Sequence, residues 1–196
     1  RKLGDQSLWV GVAKRDVRKD GTVRWRDQDI TRQPPHRIAR LGIGLVPEGR
    51  RCFAPLTVEE NLKIGLLARK DKLKVIPERI FELFPVLKEM LNRKGGDLSG
   101  GQQQQLAIGR ALCTDPSVLI LDEPGEGIQP NIVQQIGEVI CKLAKEENFT
   151  VILVEQKLPF ARKFADEFVI LERGRVVAKD QIEGLTDQVV QQFLSV

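Results

Sequence analysis

Several features that would point to particular protein classes are scarce in this 196-residue chain. Cysteine occurs three times, at Cys52, Cys113 and Cys141, without a C-x-x-C pair, which argues against a disulfide framework or a cysteine metal site. We therefore expect buried, reduced thiols in a cytosolic protein. The single histidine, His36, follows two prolines in a turn, which favours a surface position over a ligand role. No apolar run approaches the roughly 20 residues that a membrane-spanning helix needs.

The start of the chain and its charge add further constraints on the class of protein. Arg1 to Asp5 leads into no long apolar stretch, so we expect no cleavable signal peptide. Because the first residue is Arg and not Met, we also expect the sequence to be a fragment of a longer one. The net charge of +4 is mild, and the basic clusters at 15–19, 37–40 and 69–74 are typical of a solvated surface more than of a nucleic-acid or lipid patch.

The most consequential absence is a phosphate-binding loop of the pattern G-x-x-x-x-G-K-[ST]. None of the 17 glycines is followed by lysine. Gly11-Val12-Ala13-Lys14 comes nearest, but it lacks the second glycine and the Ser or Thr, and Gly21 follows too soon for the usual helix. A nucleotide bound by this chain would lack the main anchors of its β- and γ-phosphates.

The residues that are present predict one α/β domain with a mostly parallel sheet. The strand at 118–121 is all apolar, as expected of a strand buried on both faces, and 149–154 is the next buried strand. The helix from Pro130 between them carries one apolar stripe. They predict a right-handed βαβ unit. Thr57 and Glu60 form the pattern of a capping box at the start of a helix that reaches about Ala68. Further predicted elements are strands at 21–25 and 43–46, a turn at 27–29, helices at 35–40, 77–84, 86–91, 101–113, 158–165 and 188–194, and a hairpin with its turn at 172–174.

The first 19 residues are atypical of the rest, although Leu8 to Val12 could supply a further strand. We treat residues 1–196 as a single domain, with a helical insert at about 57–97. If an element is missing near the start, an unpaired strand edge could be covered by dimerisation.

An acidic pair ends one of the buried strands. Asp122 and Glu123 follow Val118 to Leu121, and ligands of open α/β sheets bind beyond the carboxyl ends of the strands. There Asp122 could hold Mg²⁺ through water, while Glu123 polarises an attacking water. The alternative is a strand that ends in an ordinary polar turn.

The stretch Leu98-Ser99-Gly100-Gly101-Gln102 opens a long helix. Ser99 can cap that helix, and the two glycines let backbone N–H groups approach an anion at the positive end of the helix dipole. This predicts a clamp for a γ-phosphate. A capped helix after a glycine-rich turn explains the same residues, but not the acidic strand downstream. Glu48 and Gln156 also lie just past predicted strand ends, and singly each is explained by loop polarity.

Together these motifs resemble the ATP-binding subunits of ATP-binding-cassette (ABC) importers, and within them the urea and branched-chain amino-acid subgroup. The resemblance covers residues 20–196. It is carried by FPVLKEML at 84–91, GDLSGGQQQQLAIGRAL at 96–112 and LDEPGEGIQP at 121–130. The four glutamines and the Glu-Gly-Ile-Gln-Pro segment are similar to the urea-transporter form.

The resemblance implies a P-loop-NTPase-like fold, ATP and Mg²⁺ as cofactors, and ATP hydrolysis coupled to solute uptake. It assigns Glu123 and Gln156 to catalysis and Asp122 and Glu48 to the metal. It also implies that Ser99, Gly100, Gly101 and Gln102 contact the nucleotide of a second subunit in trans. Glu48 stands at the Q-loop position, Gln156 at that of the switch histidine and Gln129 at that of the D-loop aspartate.

The implied partners are a second ATPase subunit, in a homodimer or a heterodimer, and transmembrane permease subunits, with the protein at the cytoplasmic face of the membrane. Because the phosphate loop is missing, activity of this chain stays open. It is either an importer ATPase that has lost the loop or a non-catalytic partner that lends its signature motif. An ABC-type nucleic-acid ATPase is the least favoured alternative, and no nucleic acid is expected as a partner.

Overall fold

The computed structural model describes residues 8–13, 21–146 and 149–194. Its strands are, in chain order, β1 (Leu8–Ala13), β2 (Arg24–Trp25), β3 (Gln28–Asp29), β4 (Ile43–Val46), β5 (Val118–Asp122), β6 (Thr150–Val154), β7 (Glu167–Glu172) and β8 (Arg175–Gln181). Six of them form one sheet in the spatial order β4-β5-β6-β1-β7-β8. Neighbouring strands from β4 to β7 pair in parallel, and β8 pairs antiparallel with β7. The predicted α/β fold with a mostly parallel sheet is confirmed.

Strand β1 occupies the middle of this sheet. Its backbone pairs with β6 from Leu8 opposite Val151 and with β7 as far as Ala13 opposite Leu171. The predicted strand at Leu8 to Val12 is therefore confirmed, with one more residue. The other residues of the atypical first 19, including Lys14, lie outside the described residues. A phosphate loop fed by this strand would have to stand between Ala13 and Gly21.

Eight α-helices accompany the sheet in the described part of the chain. They are α1 (Pro35–Arg40), α2 (Val58–Leu66), α3 (Glu78–Leu83), α4 (Pro85–Glu89), α5 (Gly100–Leu112), α6 (Pro130–Glu146), α7 (Leu158–Phe164) and α8 (Asp187–Phe193). The predicted helices are all found, with bounds that differ by one or two residues. Pro85 separates α3 from α4 and opens α4, because the first helical position needs no N–H donor. None of the described helices is long and apolar enough to cross a lipid bilayer.

The segment 57–97 contains α2, α3, α4 and a short 3₁₀ turn at Gly95–Asp97. The capping box predicted at its start is confirmed: the Glu60 N–H donates to Thr57 Oγ1 at 3.1 Å, and the Thr57 N–H donates to Glu60 Oε2 at 2.8 Å. Backbone bonds from Val58 to the Arg93 carbonyl and from Gly95 to the Leu56 carbonyl join the two ends of the segment. The predicted helical insert thus leaves and re-enters the domain at one place.

The main core lies between one face of the sheet and the helices. Leu119, Leu121 and Leu153 of β5 and β6 are completely buried there, as are Ile140 and Leu143 from the apolar stripe of α6.

The three cysteines are free, and burial raises the pKa of the Cys113 thiol to about 12. The predicted burial is confirmed for Cys113, whereas Cys52 and Cys141 are half-buried.

Two strand predictions were wrong in part. The predicted strand at 21–25 pairs only over Arg24–Trp25, because the chain turns at Arg26, whose φ is +53°, and returns through Gln28–Asp29. The strand Val118 to Leu121 is not buried on both faces, since Ile120 is half-buried while its neighbours are enclosed. The exposed part of Ile120 faces a cavity that Leu45 and Ile152 also line.

Candidate nucleotide and metal site

Three loops meet at the carboxyl edge of the sheet, following β4, β5 and β6. They carry Glu48, Glu123 and Gln156, respectively, which the sequence placed past three strand ends. The Gln156 side-chain amide donates a hydrogen bond to Glu123 Oε1. Oxygens of Glu48, Glu123 and Glu126 all lie within 4.8 Å of one another. The edge therefore gathers an amide donor and several carboxylates, as the parallel order of the strands requires.

These carboxylates form the donor set that a hard divalent cation prefers. Among the described residues, the group close enough to share an ion is Glu48, Glu123 and Glu126, and it does not include Asp122. Asp122 is the last residue of β5, opposite Val154 of β6. The sequence prediction named Glu48 and Asp122 for the metal. Glu126 was missed because its place depends on the path of the loop after Glu123.

The loop after β5 is tightly bent. Glu123 has a backbone φ of +45°, which residues other than glycine rarely adopt. Its N–H donates to the Val154 carbonyl at 2.8 Å. The Glu126 N–H then donates back to the Glu123 carbonyl at 3.1 Å. This turn brings Glu126 beside Glu123.

Glu155 is a buried carboxyl beside the site, 2% exposed. One oxygen, Oε1, accepts the N–H groups of Gln156 and Lys157, both at 2.9 Å, and so shapes the loop that presents Gln156. The other oxygen, Oε2, has no hydrogen-bond partner in the structure. Burial raises the pKa of this carboxyl above its ordinary value of 4.5. Its position directly after a buried strand was a signal that sequence reasoning left unused.

Helix α5 begins at the predicted signature stretch. Ser99 caps it: Ser99 Oγ accepts the Gln102 N–H at 3.3 Å, and Gln102 Oε1 accepts the Ser99 N–H at 2.9 Å. The first N–H groups of a helix have no backbone partner within it, and with the Gln102 N–H bound by Ser99, those of Gly100 and Gly101 are the candidate donors to an anion. The role of Gln102 is thereby specified as the second half of a capping box.

The two glycines of this stretch are explained by close neighbours. A Cβ on Gly101 would stand 2.8 Å from Ile132 Cγ2 of α6, and a Cβ on Gly100 would stand 2.8 Å from Arg50 Nη1. The glutamines that follow also have structural partners: Gln103 donates to the Gly95 carbonyl and Gln105 to Gln135.

The guanidinium of Arg50, a residue of the loop after β4, contacts the loop after β5 and the start of α5, and sequence analysis missed it. Arg50 Nη2 donates to the carbonyls of Glu126 at 3.2 Å and Gly127 at 3.1 Å, while its other face abuts Gly100. Arg50 itself has a φ of +65°, and Arg51 follows at +45°. The loop with Glu48 is thus tied to the loop with Glu123.

Comparison with known proteins gives a family match and several relatives. The family model described as "ABC transporter" matches residues 9–126. The high-affinity branched-chain amino acid transport ATP-binding protein BraG of Pseudomonas aeruginosa is 47% identical over 90% of this chain and 76% of its own length. The probable branched-chain amino acid transport ATP-binding protein LivF of Archaeoglobus fulgidus is 39% identical over 80% of this chain and 66% of its own length.

A solved structure agrees with these relatives. The ADP conformation of MJ1267, an ATP-binding cassette of an ABC transporter, superposes with a TM-score of 0.74 at 26% identity, covering 98% of this chain and 89% of that one. A family match that begins inside β1 and runs through the acidic loop after β5, together with relatives of this identity, shows that the chain belongs to the ABC transporter family.

Proposed function

We propose that this chain is the ATP-binding subunit of a branched-chain amino-acid importer and works in a two-subunit site with an intact second ATPase subunit. The observation that supports this most is the contact of Gln156 with Glu123 beside Glu48, next to the capped start of α5, in a chain without a phosphate loop. The names of BraG and LivF favour branched-chain amino acids over urea as the transported solute.

The positions of the residues at the sheet edge are compatible with the catalytic and metal-binding roles that the resemblance implies. Glu123 is positioned to accept a proton from an attacking water, and the Gln156 amide holds its carboxylate in place. Glu48 and Glu126 offer oxygens for Mg²⁺ beside Glu123, and the resemblance adds Asp122; the role of the ion when bound would be to neutralise phosphate charge. ATP would lack its phosphate loop in this chain, since no glycine precedes a lysine.

The start of α5 is the part of the site that remains complete. In the family, the signature of one subunit faces the phosphate loop and acidic strand of the other. Ser99 to Gln102 of this chain would therefore serve a nucleotide held by the partner, whereas Asp122 and Glu123 would face no bound phosphate. A homodimer would have no phosphate loop at either site, which favours a heterodimer.

The membrane-facing partners are proposed to be permease subunits at the cytoplasmic face of the membrane. In support, Leu67 and Val75, which lie between α2 and α3 of the helical segment, are 77% and 69% exposed. A degenerate partner that folds without any role in hydrolysis is the second candidate, and the missing phosphate loop is the observation in its favour.

The proposed heterodimer of two ATPase subunits is tested by co-expressing this chain with an intact branched-chain amino-acid ATP-binding subunit and measuring ATP hydrolysis by the two together. We expect Ser99→Ala in this chain to lower the rate by roughly tenfold or more, since it disturbs donors near the phosphate. Glu123→Gln should leave the rate within about twofold. Thr57→Ala is the matched control, because it removes a similar helix cap away from the site.

The outcomes separate the candidates. Equal losses for Ser99→Ala and Glu123→Gln would mean that this chain hydrolyses its own ATP. No effect of either variant would favour the degenerate partner. Resequencing the DNA that encodes residues 1–25 is the companion measurement, because a phosphate loop between Ala13 and Gly21 would overturn the half-site proposal.

A further inference from the structure

One face of the sheet is open. Leu45, Ile120 and Ile152 lie in register on the adjacent strands β4, β5 and β6, and they point to the same side. Leu45 is 58% exposed, although it belongs to a parallel sheet, whose two faces are normally both covered. Around this row lies a cavity of about 960 Å³. We call it the apolar groove, and its main lining residues are Val23, Leu45, Phe53, Ile64, Ile120 and Ile152.

No segment of the described residues fills the groove. Parallel strands are usually joined by a helix that crosses the sheet. Between β1 and β4 the described residues supply only the β2–β3 hairpin and the six-residue α1, which line one side of the groove. Residues 14–20, KRDVRKD, contain six charged residues in seven, and residues 1–7 contain a single large apolar residue. Such segments have too little apolar surface to cover it.

The charge around the groove is of one sign. Arg24, Arg51 and Arg110 line it, and no carboxylate does among the described residues. The Arg110 guanidinium is engaged, since it donates to the Arg51 carbonyl at 2.7 Å and stacks over Phe53. The Arg51 side chain is exposed at the rim. An occupant with carboxylates beside its apolar surface would be complementary to this rim.

We infer that the apolar groove docks an amphipathic α-helix of another polypeptide, with an apolar stripe on Leu45, Ile120 and Ile152 and acidic residues beside Arg51. The row of three side chains crosses two strand spacings, roughly 10 Å, which is about the diameter of a helix. A helix also satisfies its own backbone hydrogen bonds, so it can cover an apolar face without leaving polar groups unpaired. This inference does not depend on the transported solute or on ATP hydrolysis.

The probe is a fluorescein-labelled, helix-forming 14-residue peptide with leucine at positions i, i+3, i+4 and i+7 and glutamate on the flanks. Its binding to the full chain is followed by fluorescence anisotropy. Two control peptides are compared. The first has the same composition in an order that breaks the helical spacing of the leucines, and the second has lysine in place of glutamate. The chain variants are Leu45→Gln in the groove and Val176→Gln on the opposite edge strand, where Val176 is 60% exposed.

We expect saturable binding of the acidic helical peptide and binding at least about tenfold weaker for both control peptides. Leu45→Gln should weaken binding by about tenfold, and Val176→Gln should leave it unchanged, with urea unfolding to verify that both variants fold. Equal binding of all peptides, or equal effects of the two variants, would overturn the inference. A dimer in sedimentation that Leu45→Gln dissociates would assign the groove to a second copy, and binding of oleate but of no peptide would assign it to an acyl chain. Either result would also overturn it.

Discussion

Arg50 connects two loops of the candidate site to the start of α5, although sequence analysis gave it no role. Its guanidinium bonds to the loop after β5 and abuts the first residue of α5, while its backbone belongs to the loop that carries Glu48. Two successive arginines at positive φ are costly, and such conformations persist where the surroundings determine them. The Arg51 carbonyl is bound in turn by Arg110 of α5. Local order at the sheet edge therefore depends on this short loop.

Replacing Arg50 by Ala should lower the free energy of unfolding by about 1 kcal/mol, because two charge-assisted bonds to carbonyls of a half-exposed loop are lost. Amide hydrogen exchange should rise selectively in residues 125–129. Arg51→Ala is the matched control, since it has the same charge and a similar backbone but an exposed side chain. Equal exchange in the two variants would show that Arg50 does not order the loop.

The buried Glu155 makes stability depend on pH. Its folded-state pKa is raised by burial, so the folded state favours the protonated carboxyl, and stability is lost as the pH rises through that pKa. Glu155→Gln removes the ionisation. The variant should gain stability relative to the parent as the pH rises above 4.5, as measured by urea unfolding at several pH values.

The control for that experiment is Glu89→Gln, which changes an exposed carboxyl at the end of α4. Its stability relative to the parent should vary little over the same range of pH. If Glu155→Gln instead loses stability at neutral pH, the prediction is wrong. The ionised carboxylate would then stabilise the fold through the two hydrogen bonds that Oε1 accepts from backbone N–H groups.

Sequence reasoning placed Glu48, Glu123 and Gln156 correctly at one edge, because the ends of parallel strands must meet there. It did not find Arg50, Glu126 or Glu155. The first two reach the site through loops with positive φ angles, which hydrophobic periodicity does not encode. Glu155 owes its environment to burial by tertiary packing. The partners of a side chain in an irregular loop follow only from the assembled fold.

The helices pack through glycines at their closest contacts. In α6, a Cβ on Gly137 would stand 2.3 Å from the Phe164 ring of α7. Gly137→Ala should therefore cost roughly 1–3 kcal/mol of unfolding free energy through overpacking. In a Phe164→Leu background the same change should cost much less or stabilise, since Ala favours helix over Gly by about 1 kcal/mol. The four proteins of this double-mutant cycle are compared by urea unfolding.

If Gly137→Ala costs as much unfolding free energy in the Phe164→Leu background as in the parent, the ring is not the obstacle.

The existence of α6 and α7 was predictable from apolar spacing and from the prolines at their starts. Their closeness was not, because a glycine within a helical pattern gives no indication of which side chain it admits. The open face around Ile120 was likewise not predictable, since an all-apolar strand is typical of burial on both sides.

The whole molecule belongs to the ABC transporter family, and its candidate site is assembled at the sheet edge although no glycine of the sequence is followed by lysine. Strand β1 completes the sheet in spite of its atypical sequence, so the fold does not need the loop that would follow it. The chain spans 76% and 66% of the lengths of BraG and LivF. We expect its contribution to hydrolysis to be made through α5 to a partner, and not through its own Asp122 and Glu123.

The most direct test is a calorimetric titration of the full chain alone with Mg-ATP, beside an intact ABC ATP-binding subunit as the positive control. The account predicts no saturable binding in the micromolar range, because the carboxylates at the sheet edge attract Mg²⁺ but repel phosphates, and the sequence has no Gly-Lys pair of a phosphate loop. Glu123→Gln in the same chain should change nothing. Micromolar binding of Mg-ATP by the unpaired chain would contradict the account.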